Sequence, residues 1–288
     1  ADLVLLVGSR TPWYPPSNRP AAAKIIAIGD HPHKEWLVYQ IMHANAYLEG
    51  DLAATLNAAT AMLYNTGPSD EVKNLRRTKW SRVHNSLMDD LKAKREAAAK
   101  KGSLNTLSIC AAVEEIMPPD TVYVDETITH FLKMRNHLPV IQASSLYKQT
   151  VSGLGQGLGL GLGLKLGAPK RPVVVFVGDG SFLYNPITQA LGASRDYDLP
   201  ITIVIMNNNA YQAMLNGHQL YYSEGMAMQT DLTYGFQIEA PDYEKVGIPL
   251  GTKGVRVDTY RGFKQALEDA KTENAAGRSM IINALLPE

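Results

Sequence analysis

The sequence contains one cysteine, no excess of either charge and no long apolar run, and each of these absences excludes a class of protein. Cys110 alone cannot form an intrachain disulfide or a multi-cysteine zinc site. Lysine and arginine together number 28, as do aspartate and glutamate, so no cationic excess attracts nucleic acid or anionic lipid. No apolar run reaches the roughly 18 residues of a membrane span. We therefore expect a soluble cytoplasmic protein that binds neither nucleic acid nor membrane.

The apolar content that is present suffices for a sizeable core, since 45% of the 288 residues are hydrophobic. Residues 3–8 and 24–29 are short apolar runs closed by glycine, which are typical of parallel strands buried on both faces. A helix is predicted over residues 51–63, with Asp51 as its N-cap. Residues 1–66 hold too few elements for a complete α/β layer. We expect another polypeptide to supply the front of this partial, Rossmann-like α/β domain.

The next segment, residues 67–104, is rich in charge and in helix-forming residues, and it predicts a solvated helical linker. From residue 105 to residue 288, strand-like runs alternate with helix-like segments, which predicts a doubly wound parallel sheet of the α/β class. The predicted strands are 121–124, 173–177, 201–206 and 280–285, and the predicted helices lie near 106–117, 154–167, 186–196 and 261–275. Ligands of such sheets bind at the carboxyl ends of the strands.

Glycine recurs at every second position from Gly153 to Gly163, and again at Gly167. All these positions are odd, whereas both common nucleotide-binding glycine motifs contain a step of odd length, so neither motif is present. A helix is the better interpretation of this segment. In a helix, positions 155, 159, 163 and 167 form one stripe, which we expect to allow the close approach of another backbone.

The strongest signal for chemistry lies at the ends of two strand-like runs, VVVFVGDGSF (173–182) and ITIVIMNNNAY (201–211). The intervening segment has the length of a helical crossover, so the two strands can be neighbours roughly 4.8 Å apart. Asp179 and one asparagine of 207–209 then reach the same ion. One carboxylate and one amide oxygen form a good partial shell for Mg²⁺, which takes further ligands from water and phosphates. The alternative is that these residues merely form turns after two core strands.

The GDGS segment and the asparagine run after it resemble the diphosphate-binding signature of thiamine-diphosphate (ThDP) enzymes. The branch in question contains acetolactate synthase, benzoylformate decarboxylase, pyruvate decarboxylase and the 2-hydroxyacyl-CoA lyases. The resemblance covers essentially the whole chain. Residues 1–66 resemble the later part of the family's middle domain, and residues 105–288 resemble its C-terminal diphosphate- and Mg²⁺-binding domain.

The resemblance implies a role for individual residues. Asp179, Asn208 and the backbone oxygen of Ala210 would hold Mg²⁺. Leu154 would bend ThDP into its active shape, with the Ser152 carbonyl facing the 4′-amino group, so these two are the expected catalytic residues. The other residues expected to contact the cofactor are Thr127, Thr129, Gly178, Gly180, Ser181 and Tyr211.

One functional part of the family has no counterpart in this sequence. The glutamate that activates the cofactor lies in an N-terminal pyrimidine-binding domain, and Glu126 does not replace it because its segment matches the diphosphate side. The resemblance therefore implies a partner chain that carries the pyrimidine-binding domain and the front of the middle domain, in a dimer-of-dimers assembly. FAD, which some synthases hold through the middle domain, is left open by the part of that domain present.

The resemblance implies an enzyme that cleaves or forms a carbon–carbon bond of a small carbonyl substrate, a 2-oxo acid or a 2-hydroxyketone. It leaves open a decarboxylase and an acetolactate-synthase-like carboligase. A 2-hydroxyacyl-CoA lyase and a noncatalytic, cofactor-binding or regulatory subunit are the alternatives. Trp13 and Tyr14 line a substrate pocket or pack in a core or interface. The segment with Tyr211, Gln212, Met214 and His218 faces substrate in relatives, although simple packing is an equal alternative.

Overall fold

A computed structural model of the chain describes residues 1–9, 13, 18–33, 44–64, 66–148, 153–230 and 235–287. The Cα positions fall into two compact units, Ala1–Arg82 and Val83–Glu288. The division at residues 66 and 104 that the sequence suggests stays a prediction.

The first unit contains a parallel sheet with the order β1 (Leu3–Val7), β2 (Lys24–Gly29), β3 (Ala46–Glu49). Helix α1 (Leu52–Tyr64) follows, and Asp51 is its N-cap as expected, because its Oδ1 accepts a hydrogen bond from the Ala54 N–H at 2.8 Å. None of the residues of α1 is buried. The central strand β2 is largely buried, whereas Leu3, Leu5 and Val7 of β1 are exposed and its Leu6 is buried.

The helix predicted within residues 67–104 is present as α2 (Asp70–Lys100), which begins in the first unit and ends in the second, and its role as a linker stays a prediction. Trp80, Val83 and Leu87 recur at helical spacing and are 62%, 50% and 53% exposed. Near the end of the helix, the buried Arg95 guanidinium donates two hydrogen bonds to the carboxylate of Glu114, both at 2.9 Å.

The second unit contains a six-stranded sheet in which every neighbouring pair of strands is parallel, with the order β5-β4-β6-β7-β9-β8. The strands are β4 (Val122–Glu126), β5 (Leu146–Lys148), β6 (Val173–Gly178), β7 (Thr202–Asn207), β8 (Lys253–Val257) and β9 (Met280–Leu285). The helices are α3 (Thr106–Ile116), α4 (Phe131–His137), α5 (Gly157–Gly167), α6 (Asp179–Tyr184), α7 (Ile187–Asp196), α8 (Gln212–Tyr221), α9 (Met226–Thr230) and α10 (Tyr260–Ala275).

Helices cover both faces of this sheet. Successive side chains of a strand point to opposite faces, so Phe176 of β6 lies in one apolar cluster and Val175 lies in another. The cluster of Phe176 includes side chains of α3, α4 and α10, and the cluster of Val175 includes side chains of α5 and α7. The predicted doubly wound α/β sheet is confirmed.

The four predicted strands of the second unit are β4, β6, β7 and β9, each within two residues of its expected ends. The sequence did not predict β5 and β8, which are the two edges of the sheet. Edge strands are short and carry charged residues, and Lys148, Lys253 and Arg256 interrupt the apolar pattern here. Helices α4, α6, α8 and α9 were also not predicted.

The glycine-rich segment forms a helix, but the predicted close-contact stripe is wrong for three of its four glycines. A Cβ added at Gly159, Gly163 or Gly167 would meet nothing within 4 Å. The close contacts are instead at Gly157 and Gly161, where a Cβ would lie 2.4 Å from Glu126 Oε2 and 2.5 Å from Val175 Cγ2. The alternating glycines create two stripes at i, i+4 spacing, and only packing against the sheet selects one of them.

Gly155 lies before the helix, which starts at position 157 and not at 154. Its φ of +95° is in the left-handed region, and a Cβ would lie 2.3 Å from the backbone oxygen of Tyr184. Only glycine fits both conditions. This turn fixes the backbone next to Leu154.

We expect Gly161→Ala and Gly159→Ala to change stability in opposite directions. The methyl group at position 161 would overlap Val175 Cγ2, and such overpacking costs about 1–3 kcal/mol, more than the gain in helix propensity. Position 159 is open, so alanine there stabilises the helix by about 0.5–1 kcal/mol. Urea unfolding of both variants and the unsubstituted chain measures the difference. Equal stability of the two variants would contradict this packing.

His130 immediately precedes α4, and its Nδ1 lies 2.9 Å from Oγ1 of Thr106 at the start of α3. Burial, with a smaller effect of Lys133, lowers the pKa of His130 from 6.5 to about 4. The folded state therefore favours the neutral ring. The contribution of His130 to the free energy of unfolding is complete above its ordinary pKa of 6.5, and it decreases as the pH falls towards 4.

We expect the free energy of unfolding of the unsubstituted chain to decrease more between pH 6.5 and pH 5 than that of His130→Gln. The variant has no ring to protonate on unfolding. Urea unfolding at the two pH values measures the effect, with His84→Gln on the exposed part of α2 as the control. Identical pH dependence in His130→Gln and the unsubstituted chain would show that His130 does not titrate as proposed.

Candidate functional site

The two strands that the sequence singles out are neighbours in the sheet. Gly178 of β6 is the register partner of Met206 of β7, so both strands reach the same edge together. The residues that follow, Asp179 and the asparagine run, therefore emerge side by side. This geometry is the one that a shared ligand requires.

Asp179 is the first residue of α6 and is buried. Its Oδ1 accepts a hydrogen bond from the Gly180 N–H at 2.8 Å, whereas its Oδ2 is buried with no hydrogen-bond partner in the described part of the chain. Burial raises the pKa of Asp179, and the backbone N–H groups of residues 180 and 208–210 oppose this rise. A buried carboxylate oxygen without a partner is costly. It is the kind of atom that a bound cation satisfies.

The turn after β7 is held by a chain of buried hydrogen bonds. Asn207 Oδ1 accepts a bond from the Asn209 N–H at 3.0 Å, and Asn207 Nδ2 donates to Asn283 Oδ1 at 3.0 Å. Asn283 in turn donates to Glu244 Oε2 at 2.8 Å. Asn209 has a φ of +54°, a left-handed conformation that asparagine tolerates better than most residues. Asn207 thus positions the loop, while Asn208 and Ala210 line the cleft described next.

A cleft of about 720 Å³ opens at this edge of the sheet. Most of the residues that the sequence assigned to the site line it, namely Thr129, Leu154, Gly178, Asp179, Gly180, Ser181, Asn208, Ala210 and Tyr211. Two residues named from the sequence, Ser152 and Tyr14, lie outside the described residues, as do residues 149–151. The predicted constellation is therefore brought together from four separate segments of the chain.

Thr127, which the sequence also assigned to the cofactor, is not among the residues that line the cleft, and its assignment stays a prediction. Its backbone N–H and its hydroxyl both donate to Oδ1 of Asp125, at 2.8 Å and 2.6 Å. The side chain therefore closes a buried turn after β4. The local pattern places Thr127 and Thr129 in the same loop, but only the fold shows that one of them is turned inward.

Glu126 has a structural position that agrees with its exclusion as the activating base. Its buried carboxylate accepts hydrogen bonds from the N–H groups of Gly155, Gln156 and Gly157 at 2.5, 3.0 and 2.8 Å. It also accepts one from Asn185 Nδ2 at 2.9 Å. These bonds satisfy the free N–H groups at the start of α5. Glu126 thereby fixes the loop that carries Leu154.

Several residues of the cleft were not assigned from the sequence. They include Ile128, His130, Lys148, Tyr184 and Met206. Lys148 and Tyr184 lie on β5 and α6, which were themselves not predicted. The only available signal for the other three was their place next to residues already assigned.

The residues expected to face substrate divide into two groups. Tyr211, Gln212 and Met214 line the cleft. His218 does not, and its ring packs against Phe236 with ring centroids 5.7 Å apart. Trp13 packs against the apolar cluster of the first unit, which favours the core interpretation of this residue.

The residues at the edge of the sheet fit a Mg²⁺ ion. The donor set would contain one carboxylate oxygen, the amide of Asn208 and the backbone oxygen of Ala210, leaving positions for phosphate and water, as Mg²⁺ prefers. Among the described residues, no group of three or more His, Cys, Asp or Glu side chains offers a different metal site. None of the described helices combines the length and the apolar content needed to span a bilayer.

Comparison with known proteins places these residues in a family. The family model "Thiamine pyrophosphate enzyme, C-terminal TPP binding domain" matches residues 128–284. The chain is 26% identical to the sulfoacetaldehyde acetyltransferase of Rhodobacter capsulatus, over 99% of this chain and 50% of the relative. It is 25% identical to the benzoylformate decarboxylase of Pseudomonas aeruginosa, over 98% of this chain and 48% of the relative.

A solved structure shows the same fold. The ThDP-dependent 4-hydroxybenzoylformate decarboxylase of Rhodococcus jostii superposes with a TM-score of 0.72 at 21% identity, over 99% of this chain and 49% of that protein. The chain spans about half the length of the relatives that it matches along its whole length. With the match of the family model to more than half of its residues, the chain belongs to the thiamine pyrophosphate enzyme family and contains the C-terminal TPP-binding domain.

Proposed function

We propose that this chain is the cofactor-binding half of a ThDP- and Mg²⁺-dependent enzyme that cleaves or forms a carbon–carbon bond next to the carbonyl of a 2-oxo acid or a 2-hydroxyketone. The observation that carries this proposal is the buried, unpartnered Oδ2 of Asp179 in the cleft that Asn208 and Ala210 also line. In a turn that served only the fold, this unpartnered oxygen would be a cost without a compensating contact. The same holds for a subunit that had lost cofactor binding.

Different residues of the cleft would bind the metal ion and the diphosphate. Asp179, Asn208 and the Ala210 carbonyl would hold Mg²⁺, and the Ser181 hydroxyl and the Thr129 hydroxyl line the same cleft for the diphosphate. ThDP, when bound, supplies a thiazolium that adds to the carbonyl and accepts the electron pair of the broken bond. Ile128, Met206 and Met214 add apolar surface to the same cleft.

Leu154 is held in place from two directions. The left-handed turn at Gly155 follows it directly, and the Glu126 carboxylate binds the N–H groups of residues 155–157. A side chain that must press on a cofactor needs such support, because a small displacement loses the productive geometry. This support favours Leu154 as the residue that shapes the bound cofactor.

The choice between the possible reactions is argued from the relatives of the chain. A sulfoacetaldehyde acetyltransferase and a benzoylformate decarboxylase both match nearly the whole chain at similar identity. The proposal therefore includes decarboxylation and carboligation. The two reactions share the addition step and differ in the group that takes up the electron pair afterwards.

We further propose that a second polypeptide segment supplies the pyrimidine-binding domain and the front of the middle domain, within a dimer of dimers. The first unit supports this, because β1 pairs with β2 on one side and its apolar residues Leu3, Leu5 and Val7 are 48%, 51% and 41% exposed. Edge strands that remain free in solution usually carry charges or proline. A strand made of apolar residues alone is typical of the interior of a larger sheet.

The substitution Asp179→Asn tests the metal site. We expect it to weaken Mg²⁺-dependent binding of ThDP at least about a hundredfold, since losing even an outer-shell group at a metal site costs about 10–100-fold. The thermal stability of the cofactor-free chain should stay the same or increase, because a buried charge without a partner is removed. Calorimetric titration of ThDP with and without Mg²⁺ measures the first effect, and a thermal scan measures the second.

Asp196→Asn, on an exposed part of α7, is the matched control and should bind ThDP as the unsubstituted chain does. Undiminished Mg²⁺-dependent binding by Asp179→Asn would overturn the proposed site. Glu126→Gln provides the contrast, because its carboxylate holds four hydrogen bonds inside the protein. We expect that variant to lose stability.

The partner proposal predicts that the chain alone releases no carbon dioxide from pyruvate or benzoylformate, even with ThDP and Mg²⁺. Activity should appear with the polypeptide that co-purifies, which mass spectrometry identifies. Leu5→Lys should reduce that co-purification without unfolding the chain, because the side chain is 51% exposed. Leu166→Lys, on α5 and 68% exposed, is the control. Full activity of the chain with no second polypeptide would refute the proposal.

A further inference from the structure

Lys148 is a charged residue of the cleft that has no role in the site described so far. It is the last residue of β5 and lies opposite Asp125 of β4 in the sheet register. It therefore comes at the carboxyl edge of the sheet, where ligands of such folds bind. It lines the same cleft as Asp179 and Asn208.

Among the residues that the structure describes, the ammonium group of Lys148 is attracted by Asp125 but forms no ion pair with it. It is partly buried and lies over the ring of Phe131, and in the described part of the chain it makes no hydrogen bond and no ion pair. The carboxylate that attracts it, Asp125, already accepts two hydrogen bonds from Thr127. Burial lowers the pKa of Lys148, which Asp125 partly offsets. A ring face stabilises a cation less than a charge-assisted hydrogen bond to an oxyanion does.

The negative and the positive charge of the cleft lie apart from each other. Of the described residues that line it, Asp179 and Lys148 carry a formal charge at neutral pH, since the lowered pKa of about 4 keeps His130 neutral. The sheet order β5-β4-β6 puts two strand spacings between them, or roughly 10 Å across the sheet. In register, Lys148 is level with Phe176, two residues before Gly178. A diphosphate centred on Asp179 thus leaves the Lys148 ammonium available for a different anionic group.

We propose that Lys148 binds the anionic group, a carboxylate or a sulfonate, of the carbonyl substrate and makes the site selective for anionic over neutral carbonyl compounds. This inference rests on the proposed function, and it narrows the substrate class within it. Apart from Lys148, the residues of this cleft that carry a charge at neutral pH include only Asp179 among those described, so a neutral substrate gains no comparable charge-assisted contact with a cation.

The chemistry of lysine fits a binding role better than a role in the bond-breaking step. A cation that holds an anionic group which does not leave as carbon dioxide binds it equally in the ground state and in the transition state, and it therefore lowers KM and leaves kcat unchanged. Lysine acts as a point charge on a flexible stem. It therefore suits a group whose distance from the reacting carbonyl varies between substrates.

The test compares inert ligands that differ only in charge, benzoate and benzamide, in the complex of this chain with its co-purifying polypeptide, ThDP and Mg²⁺. Calorimetry gives the Kd of each ligand for the unsubstituted protein, Lys148→Met and Lys148→Arg. We expect Lys148→Met to weaken benzoate binding about 10–100-fold, the usual value of a hydrogen bond to a charged group. Benzamide binding should change less than about twofold, and Lys148→Arg should keep most of the benzoate affinity.

A control variant and three further outcomes decide between the inference and its alternatives. Lys133→Met, on the exposed side of the neighbouring helix α4, should bind both ligands normally. Weaker ThDP binding by Lys148→Met, with benzoate unaffected, would assign the ammonium to the cofactor diphosphate and overturn the inference. Equal benzoate and benzamide affinity in the unsubstituted protein would also overturn it. Failure of the unsubstituted protein to bind ThDP with Mg²⁺ would instead refute the proposed function itself.

Discussion

The parallel pairing of β6 with β7 is the constraint on which the rest of the site depends. Parallel strands share one carboxyl edge, so the register that sets Gly178 beside Met206 delivers Asp179 and Asn208 to one place. Both strands are buried on their two faces by apolar clusters, which prevents any slip of this register. A shift of one residue would turn the buried side chains of a strand to the opposite face. The positions of Asp179 and Asn208 are therefore as fixed as the core itself.

Around this edge, buried polar side chains form hydrogen bonds with the loops that carry the cleft residues, and these bonds do not involve Asp179 Oδ2. Glu126 binds the start of α5 and with it the loop of Leu154. Asn207, Asn283 and Glu244 form a buried chain of hydrogen bonds behind the loop of Asn208 and Ala210. In contrast, Asp179 Oδ2 is buried with no partner in the described residues. The internal bonds hold the loops rigid, and the unpartnered oxygen is the atom that a cation would bind.

The two units differ in how completely they bury their own apolar surface. In the second unit helices cover both faces of the six-stranded sheet, whereas in the first unit three of the five side chains of β1 are exposed and α1 buries none of its residues. A three-stranded sheet has little area with which to offset the entropy of folding. The chain spans about half the length of the relatives that it matches along its whole length. The proposal that a second polypeptide segment covers the first unit rests on this exposed apolar surface.

The sequence by itself determined the class of the sheet, four of its strands and the polar residues at two strand ends, because buried parallel strands have unbroken apolar runs. The resemblance of its motifs to a known family implied most of the other cleft residues. Tertiary structure alone decided which glycine stripe of α5 faces the sheet, that Thr127 turns inward to Asp125, and that Lys148 reaches the cleft. The alternating glycines permit two stripes, and the short edge strand β5 has no pattern of its own. Both outcomes depend on contacts between segments distant in the chain, and no local spacing records those contacts.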